Sequence, residues 1–228
     1  MWFPEQKLVF IHVPKTAGSS VEKILNRNPE LGMRGGTMGQ HSRLVDFYEI
    51  VGDTLQDYTI FTITRNTYER IASAYMMMYR GKNFKHRANH FDGMDYVSWP
   101  DFYNMLESGI LHAESFHHYL EVDGVIPSNV TILKFEDIEK EFTKYWSDLG
   151  YSMPEDGFPH MNNHPETNGS IRKYLMDDPN YQKVIQDVYH KELNYFGYEP
   201  PTPPPLPHAI RRGPGGAGRK GVRGGARL

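Results

Sequence analysis

Two short segments concentrate the residues able to do chemistry. The first is Phe10–Ser20, FIHVPKTAGSS, where an apolar run passes through a lysine and a turn of small and hydroxyl residues into a helix start. Such a turn aims successive backbone N–H groups at one point, and the positive end of the helix dipole reinforces them, so it suits an anion such as phosphate. Gly18 lets main chain come close to a ligand, Ser19 and Ser20 offer hydroxyl groups and helix caps, and Lys15 sets a mobile cation at the rim. The second segment is Thr64–Tyr75, TRNTYERIASAY. Arg65 ends a β-branched run and Ser73 falls about two helical turns later, a spacing from which both side chains can grip one phosphate. The loop is not a Walker A loop. Its lysine precedes Gly18 by three residues instead of following it, and the strand before the second segment ends in Arg65, not a magnesium-holding aspartate. An ATP-dependent, kinase-like phosphotransferase is the alternative reading of the same loop, and both of those features count against it.

These groups need a scaffold, and the surrounding pattern supplies one. Lys7–Val13, Tyr58–Thr64 and Val130–Phe135 are short apolar, β-branched or aromatic runs of the kind found in buried strands. Each is followed by a helical pattern. The first carries Val21, Ile24 and Leu25 on one face, the second spans Asn66–Tyr79, and the third runs from Glu136 to Leu149 and closes at Gly150. Pro179–Tyr195 is a last helix with proline at its start. Strand–helix alternation predicts a three-layer α/β fold around a central parallel sheet.

The chain has 228 residues, no cysteine and a formal charge of −3. The absence of cysteine excludes a disulfide framework, a thiolate zinc site and a cysteine nucleophile. The charge is unevenly divided. Residues 201–228 hold six basic residues (Arg211, Arg212, Arg219, Lys220, Arg223 and Arg227) and no acid, leaving 19 basic against 28 acidic residues in the body. Residues 1–200 are therefore expected to form one domain, and 201–228 a disordered Pro/Gly/Arg-rich tail. With a mean hydropathy of −0.61 and no long apolar run or signal peptide, the sequence predicts a cytoplasmic chain without an integral membrane segment. A Gly/Arg tail can contact RNA, but six basic residues on an acidic body argue against a nucleic-acid partner.

Taken together, the two segments resemble the sulfotransferases that use 3′-phosphoadenosine 5′-phosphosulfate (PAPS). The closer likeness is to the carbohydrate branch, with its heparan 2-O and chondroitin/dermatan enzymes and their bacterial relatives. FIHVPKTAGSS looks like that family's 5′-phosphosulfate loop and TRNTYERIASAY like its 3′-phosphate motif. GQHSRLVDFYEI, ILKFEDI, FPHMNNHPETNGSIRKYL and YQKVIQDVYHKELNYFGYE continue the likeness over residues 7–199. The resemblance implies a P-loop-like sulfotransferase fold, PAPS as donor with PAP as product, and transfer of a sulfuryl group to a hydroxyl without a required metal. It implies that Lys15, Thr16, Ala17, Gly18, Ser19 and Ser20 hold the 5′ end of the donor. Arg65 and Ser73, with Arg172 in reach, would hold the 3′-phosphate.

In-line sulfuryl transfer needs positioning and charge neutralisation, as phosphoryl transfer does, and a base for the acceptor proton. Lys15 is assigned to the leaving oxygen. His41, which matches the family's histidine segment, is assigned as base, because an imidazole titrates near neutrality. His12, at the end of a buried strand, is read as a packed core histidine. For the acceptor, expected to be a carbohydrate, the candidate surface is Arg80, Lys82, Lys85 and Arg87, followed by the aromatic faces of Trp99, Phe102 and Tyr103. His160 and Asn162 would line the same cleft with His41. The pairs His86/His90 and His160/His164 have the spacing of zinc ligands on a helix, but they sit in Asn-, Gly- and Pro-rich stretches, so metal binding is not expected. The −9 body and the acidic Asp46 and Glu49 disfavour a long, highly sulfated polymer as acceptor.

Overall fold

The computed structural model describes residues 1–32, 34–35, 38–79, 99–107, 113–161 and 172–201. Its centre is a four-stranded sheet in the order β1 (Trp2–Phe3), β2 (Leu8–Ile11), β3 (Thr59–Thr64) and β4 (Val130–Lys134). Strands β2, β3 and β4 run parallel, with Leu8 opposite Thr59 and Thr64 opposite Lys134. The short β1 pairs antiparallel with β2, an edge that the sequence reading did not anticipate. Two residues ahead of Pro4 carry no readable periodicity; what places them is pairing with β2, extended by the bond from the Phe10 amide to the Met1 carbonyl at 2.8 Å.

Because side chains alternate along a strand, each strand supplies both faces of the sheet. Phe10, Phe61, Ile63 and Leu133 pack on one face beneath α1 (Gly18–Arg27) and α6 (Ile138–Asp148), through Ile24, Leu25, Phe142 and Trp146. Val9, Ile11 and Ile60 pack on the other beneath α2 (Leu44–Val51) and α5 (Phe116–Leu120). The three-layer α/β arrangement expected from the sequence is thus present. Observed boundaries fall within a few residues of the expected ones, the main difference being at β4. There, Phe135–Asp137 forms a 3₁₀ turn before α6 begins.

A third cluster joins α3 (Thr67–Tyr79) to α4 (Trp99–Glu107) and α8 (Pro179–Phe196), the last preceded by a helical turn, α7 (residues 172–177). Tyr68, Ile71, Tyr75, Ile185 and Tyr189 form its apolar part. Phe102, expected to offer a face to a sugar ring, belongs to this core instead. It is fully buried, 5.1 Å from the Tyr75 ring, because α4 turns its apolar side onto α3 and α8. Inside the cluster lies an ion pair between Arg70 and Glu192, both essentially inaccessible. Glu192 accepts from Arg70 Nη2 at 3.1 Å, from Thr67 Oγ1 at 2.8 Å and from the Phe116 amide at 2.6 Å. One carboxylate thereby ties the start of α3 to α5 and α8. Among the described residues, no helix is long and apolar enough to cross a membrane.

Candidate active site

Strand β2 delivers the chain into a loop with two left-handed residues that are not glycine, Lys15 at φ 69° and Ala17 at φ 66°. For residues with a Cβ this conformation costs about 1–2 kcal/mol each. Between them, Thr16 is fully buried and its Oγ1 donates to the Val13 carbonyl at 2.7 Å, which holds the loop closed from within. The Thr16 hydroxyl is thus committed to main chain and does not line the cleft, so from this residue only main chain is left for a donor.

Ala17 is the N-cap of α1, and no side chain caps it. Ser19 and Ser20, expected as caps, lie inside the helix. Helix N-termini carry N–H groups that need an external acceptor. Among the described residues no side chain meets that need, so the amides are open to solvent or a ligand. Ser20 Oγ accepts the Met161 amide at 3.1 Å, which brings the Phe158–Met161 segment against the loop. Gly18 is obligatory for a specific reason: a Cβ there would lie 1.9 Å from Cδ2 of the His12 ring.

Across the cleft, Arg65 leaves the end of β3 with its guanidinium 4.1 Å over the Phe135 ring. Its Nη1 donates to the Lys15 carbonyl at 3.2 Å, its Nη2 lies 3.7 Å from Glu69, and its buried Nε has no hydrogen-bond partner among the described residues. Burial lowers the Arg65 pKa to about 10, with neighbouring Arg172 adding to the effect and Glu69 opposing it. Arg172, on α7, reaches back to Glu69 at 2.5 Å. A buried guanidinium with an orphaned donor, beside a second arginine, is fitted for a phosphate.

These groups line one cleft of about 460 Å³, in the range that holds a single small cofactor. Lys15, Ala17, Gly18, Ser19, Ser20, Arg65, Ser73 and Arg172 all face it, as do His41 and His160. Lys15 Nζ lies 3.6 Å from Met77 Sδ. Arg80, Lys82, Lys85, Arg87, His86, His90, Asn162 and His164 lie outside the described residues, as do residues 202–228. His160 is exposed, 3.7 Å from Glu139. His12 is buried as expected, yet its ring also lines the cleft and Nδ1 sits 3.0 Å from Glu22 Oε1, so it is more than packing. Sequence reasoning also missed Glu69, Gln40 and Phe135. Only Glu69 left a trace, lying four residues after Arg65 on a helix, where such pairs meet.

Fold and cleft together define an α/β protein with an uncapped helix N-terminus and a group of arginines lining one cleft. The sulfotransferase family model matches residues 1–199, and the chain belongs to that family. It is accordingly a PAPS-dependent sulfotransferase, with PAPS as donor and PAP as product. Among solved structures, mouse sulfotransferase SULT7A1 complexed with PAP is similar at 15% sequence identity and a TM-score of 0.48, over 82% of this chain and 84% of that one. No curated protein matches the chain.

Proposed function

We propose that this enzyme transfers the sulfuryl group to a carbohydrate hydroxyl, neutral or modestly charged, with His41 as the base. The observation that carries this reading is the convergence in one cleft of an uncapped helix N-terminus, Lys15, the Arg65–Ser73–Arg172 group and His41. PAPS supplies the sulfuryl group when bound. Main-chain amides around Ala17–Ser20 and the serine hydroxyls hold the 5′-phosphate, while Arg65, Ser73 and Arg172 hold the 3′-phosphate. Lys15 neutralises charge on the leaving oxygen, and its ammonium does so as a point charge, without the directional demands of a guanidinium.

His41 is suited to its role by one bond. Its Nδ1 lies 2.9 Å from the His12 carbonyl, which can only accept, so Nδ1 carries the proton and the lone pair of the neutral ring sits on Nε2. Nε2 then takes the acceptor's hydroxyl proton. The acidic body supports a weakly charged acceptor, since a dense polyanion would meet repulsion beyond the cleft.

The test is release of PAP from PAPS across a panel of neutral, uronate-bearing and sulfated glycans, phenols and lipid-linked sugars. Turnover is expected with the first two classes. Turnover confined to phenols would overturn the carbohydrate assignment. Lys15→Ala and His41→Ala should each lower turnover at least about 100-fold, in the range of a lost general base or charge-stabilising group; His41→Ala near wild type would remove the base.

A further inference from the structure

Glu22 lies on α1 behind the phosphate loop, with 14% of its side chain exposed, and does not line the cleft. Both of its oxygens are nonetheless occupied by the segments that carry the histidines. Oε1 faces His12 Nδ1 at 3.0 Å, and Oε2 accepts from Nε2 of Gln40, the neighbour of His41, at 2.8 Å. The His12 carbonyl accepts from His41 Nδ1, and the two rings meet edge to face with centroids 4.5 Å apart.

We infer that Glu22 is a positioning residue for this histidine pair: through His12 and Gln40 it holds both imidazoles in the Nδ1–H tautomer and so makes Nε2 of His41 the proton-accepting atom. The inference rests on the assignment of His41 as base. Burial alone would raise the Glu22 carboxyl, but its hydrogen bonds to His12 and Gln40 hold it below the usual carboxylate range. At neutral pH it is therefore ionised and can only accept. An acceptor-only partner at 3.0 Å requires the proton on Nδ1 of His12.

The position of that ring matters as well as its tautomer. His12 occupies the space over Gly18 that a side chain would fill, so an imidazole free to rotate would push into the phosphate loop. Through Gln40 the same carboxylate also holds the segment that brings His41 to the His12 carbonyl. Glu22 thus acts on the proton-transfer group and the loop through one side chain, without touching either the donor or the acceptor. Nothing in the sequence marks it, because a glutamate in the second turn of an amphipathic helix reads as solvated surface.

The experiment is long-range nitrogen NMR of histidine side chains in the full-length, ¹⁵N-histidine-labelled protein, alone and with PAP, where protonated and bare ring nitrogens are resolved by shift. In the wild type, His12 and His41 are expected as Nδ1–H tautomers. In Glu22→Ala, His12 should pass mainly to Nε2–H, the form favoured by imidazole in water, and His41 should lose about half of its Nδ1–H population. Glu22→Gln should retain the wild-type pattern, because its amide oxygen still accepts from His12 once Gln40 turns its own amide over. A wild-type pattern in folded Glu22→Ala overturns the inference, as does an Nε2–H tautomer at His12 in the wild type. Should Glu22→Ala fail to fold, Gln40→Ala carries the test, and an unchanged His41 signature there overturns it. Tautomers are read without any acceptor. Wild-type turnover in His41→Ala would thus remove the base assignment and leave the Glu22 result standing, whereas unchanged tautomers in Glu22→Ala would do the reverse.

Discussion

The two ends of the cleft are built on opposite principles. The end proposed for the 5′-phosphate is main chain: two left-handed residues, a buried threonine that ties the loop to itself, and a helix start with no side-chain cap. The end proposed for the 3′-phosphate is side chain: a guanidinium stacked on Phe135, a carboxylate holding two arginines, and a serine. A main-chain site keeps its charge at any pH and survives most side-chain changes, but it fails if the backbone is displaced. A side-chain site can lose one contact at a time. The two are joined by the bond from Arg65 Nη1 to the Lys15 carbonyl, so the arginine also braces the strained loop.

The largest effect should come from the anchor beneath the side-chain end. Glu192→Ala leaves the Arg70 charge buried and unpaired, which should cost about 3–5 kcal/mol in urea unfolding and detach α3 from α8. If stability changes by less than about 1 kcal/mol, the ion pair is not what fixes the helix that carries Ser73. Next comes Gly18→Ala. Its Cβ must displace the His12 ring, so about 1–3 kcal/mol of stability should be lost, together with the thermal stabilisation by PAP. Adding His12→Ala should restore stability but not turnover, which separates steric from chemical roles. A single variant with normal PAP binding would refute the claim that backbone position governs this end.

Arg65→Leu should split binding from stability. Losing a charged contact to phosphate should weaken PAP by about 10–100-fold in calorimetry. Yet burial of that charge is unfavourable in the ligand-free protein, as its lowered pKa records. The variant without ligand should therefore melt no lower than the wild type, and a lower melting point would show that Phe135, Glu69 and the brace to the Lys15 carbonyl together more than offset the desolvation. The smallest change is Ser73→Ala, which removes one neutral donor and should weaken PAP about 2–10-fold with turnover otherwise intact.

Much of this was legible in the sequence because it rests on local periodicity. Strands β2, β3 and β4 announce themselves as apolar runs, and Lys15, Gly18, Arg65 and Ser73 stand in local patterns whose chemistry is recognisable without coordinates. What stayed hidden depends on pairs distant along the chain. Arg70 and Glu192 each read as ordinary helical charges until α3 and α8 are packed together. Glu22 reads as solvent-facing until His12 and Gln40 arrive beside it. Phe102 erred the other way, because an aromatic residue after a basic stretch suits a sugar surface and a core equally well, and only the docking of α4 decides. Thr16 was expected to offer its hydroxyl to the donor; the geometry of the loop spends it on Val13.

The Glu192 contact also bears on how the protein is made. Its partners Thr67, Arg70 and Phe116 leave the ribosome well before the α8 carboxylate that satisfies them, with separations of 125, 122 and 76 residues. Until then Arg70 has no buried counterion, and α3 cannot settle without stranding its charge. The helix that carries Ser73 is therefore a late arrival, docking only when α8 has been synthesised. A nascent chain stalled short of α8 would hold the whole Phe10–Ser20 loop and still lack the carboxylate that lets α3 dock.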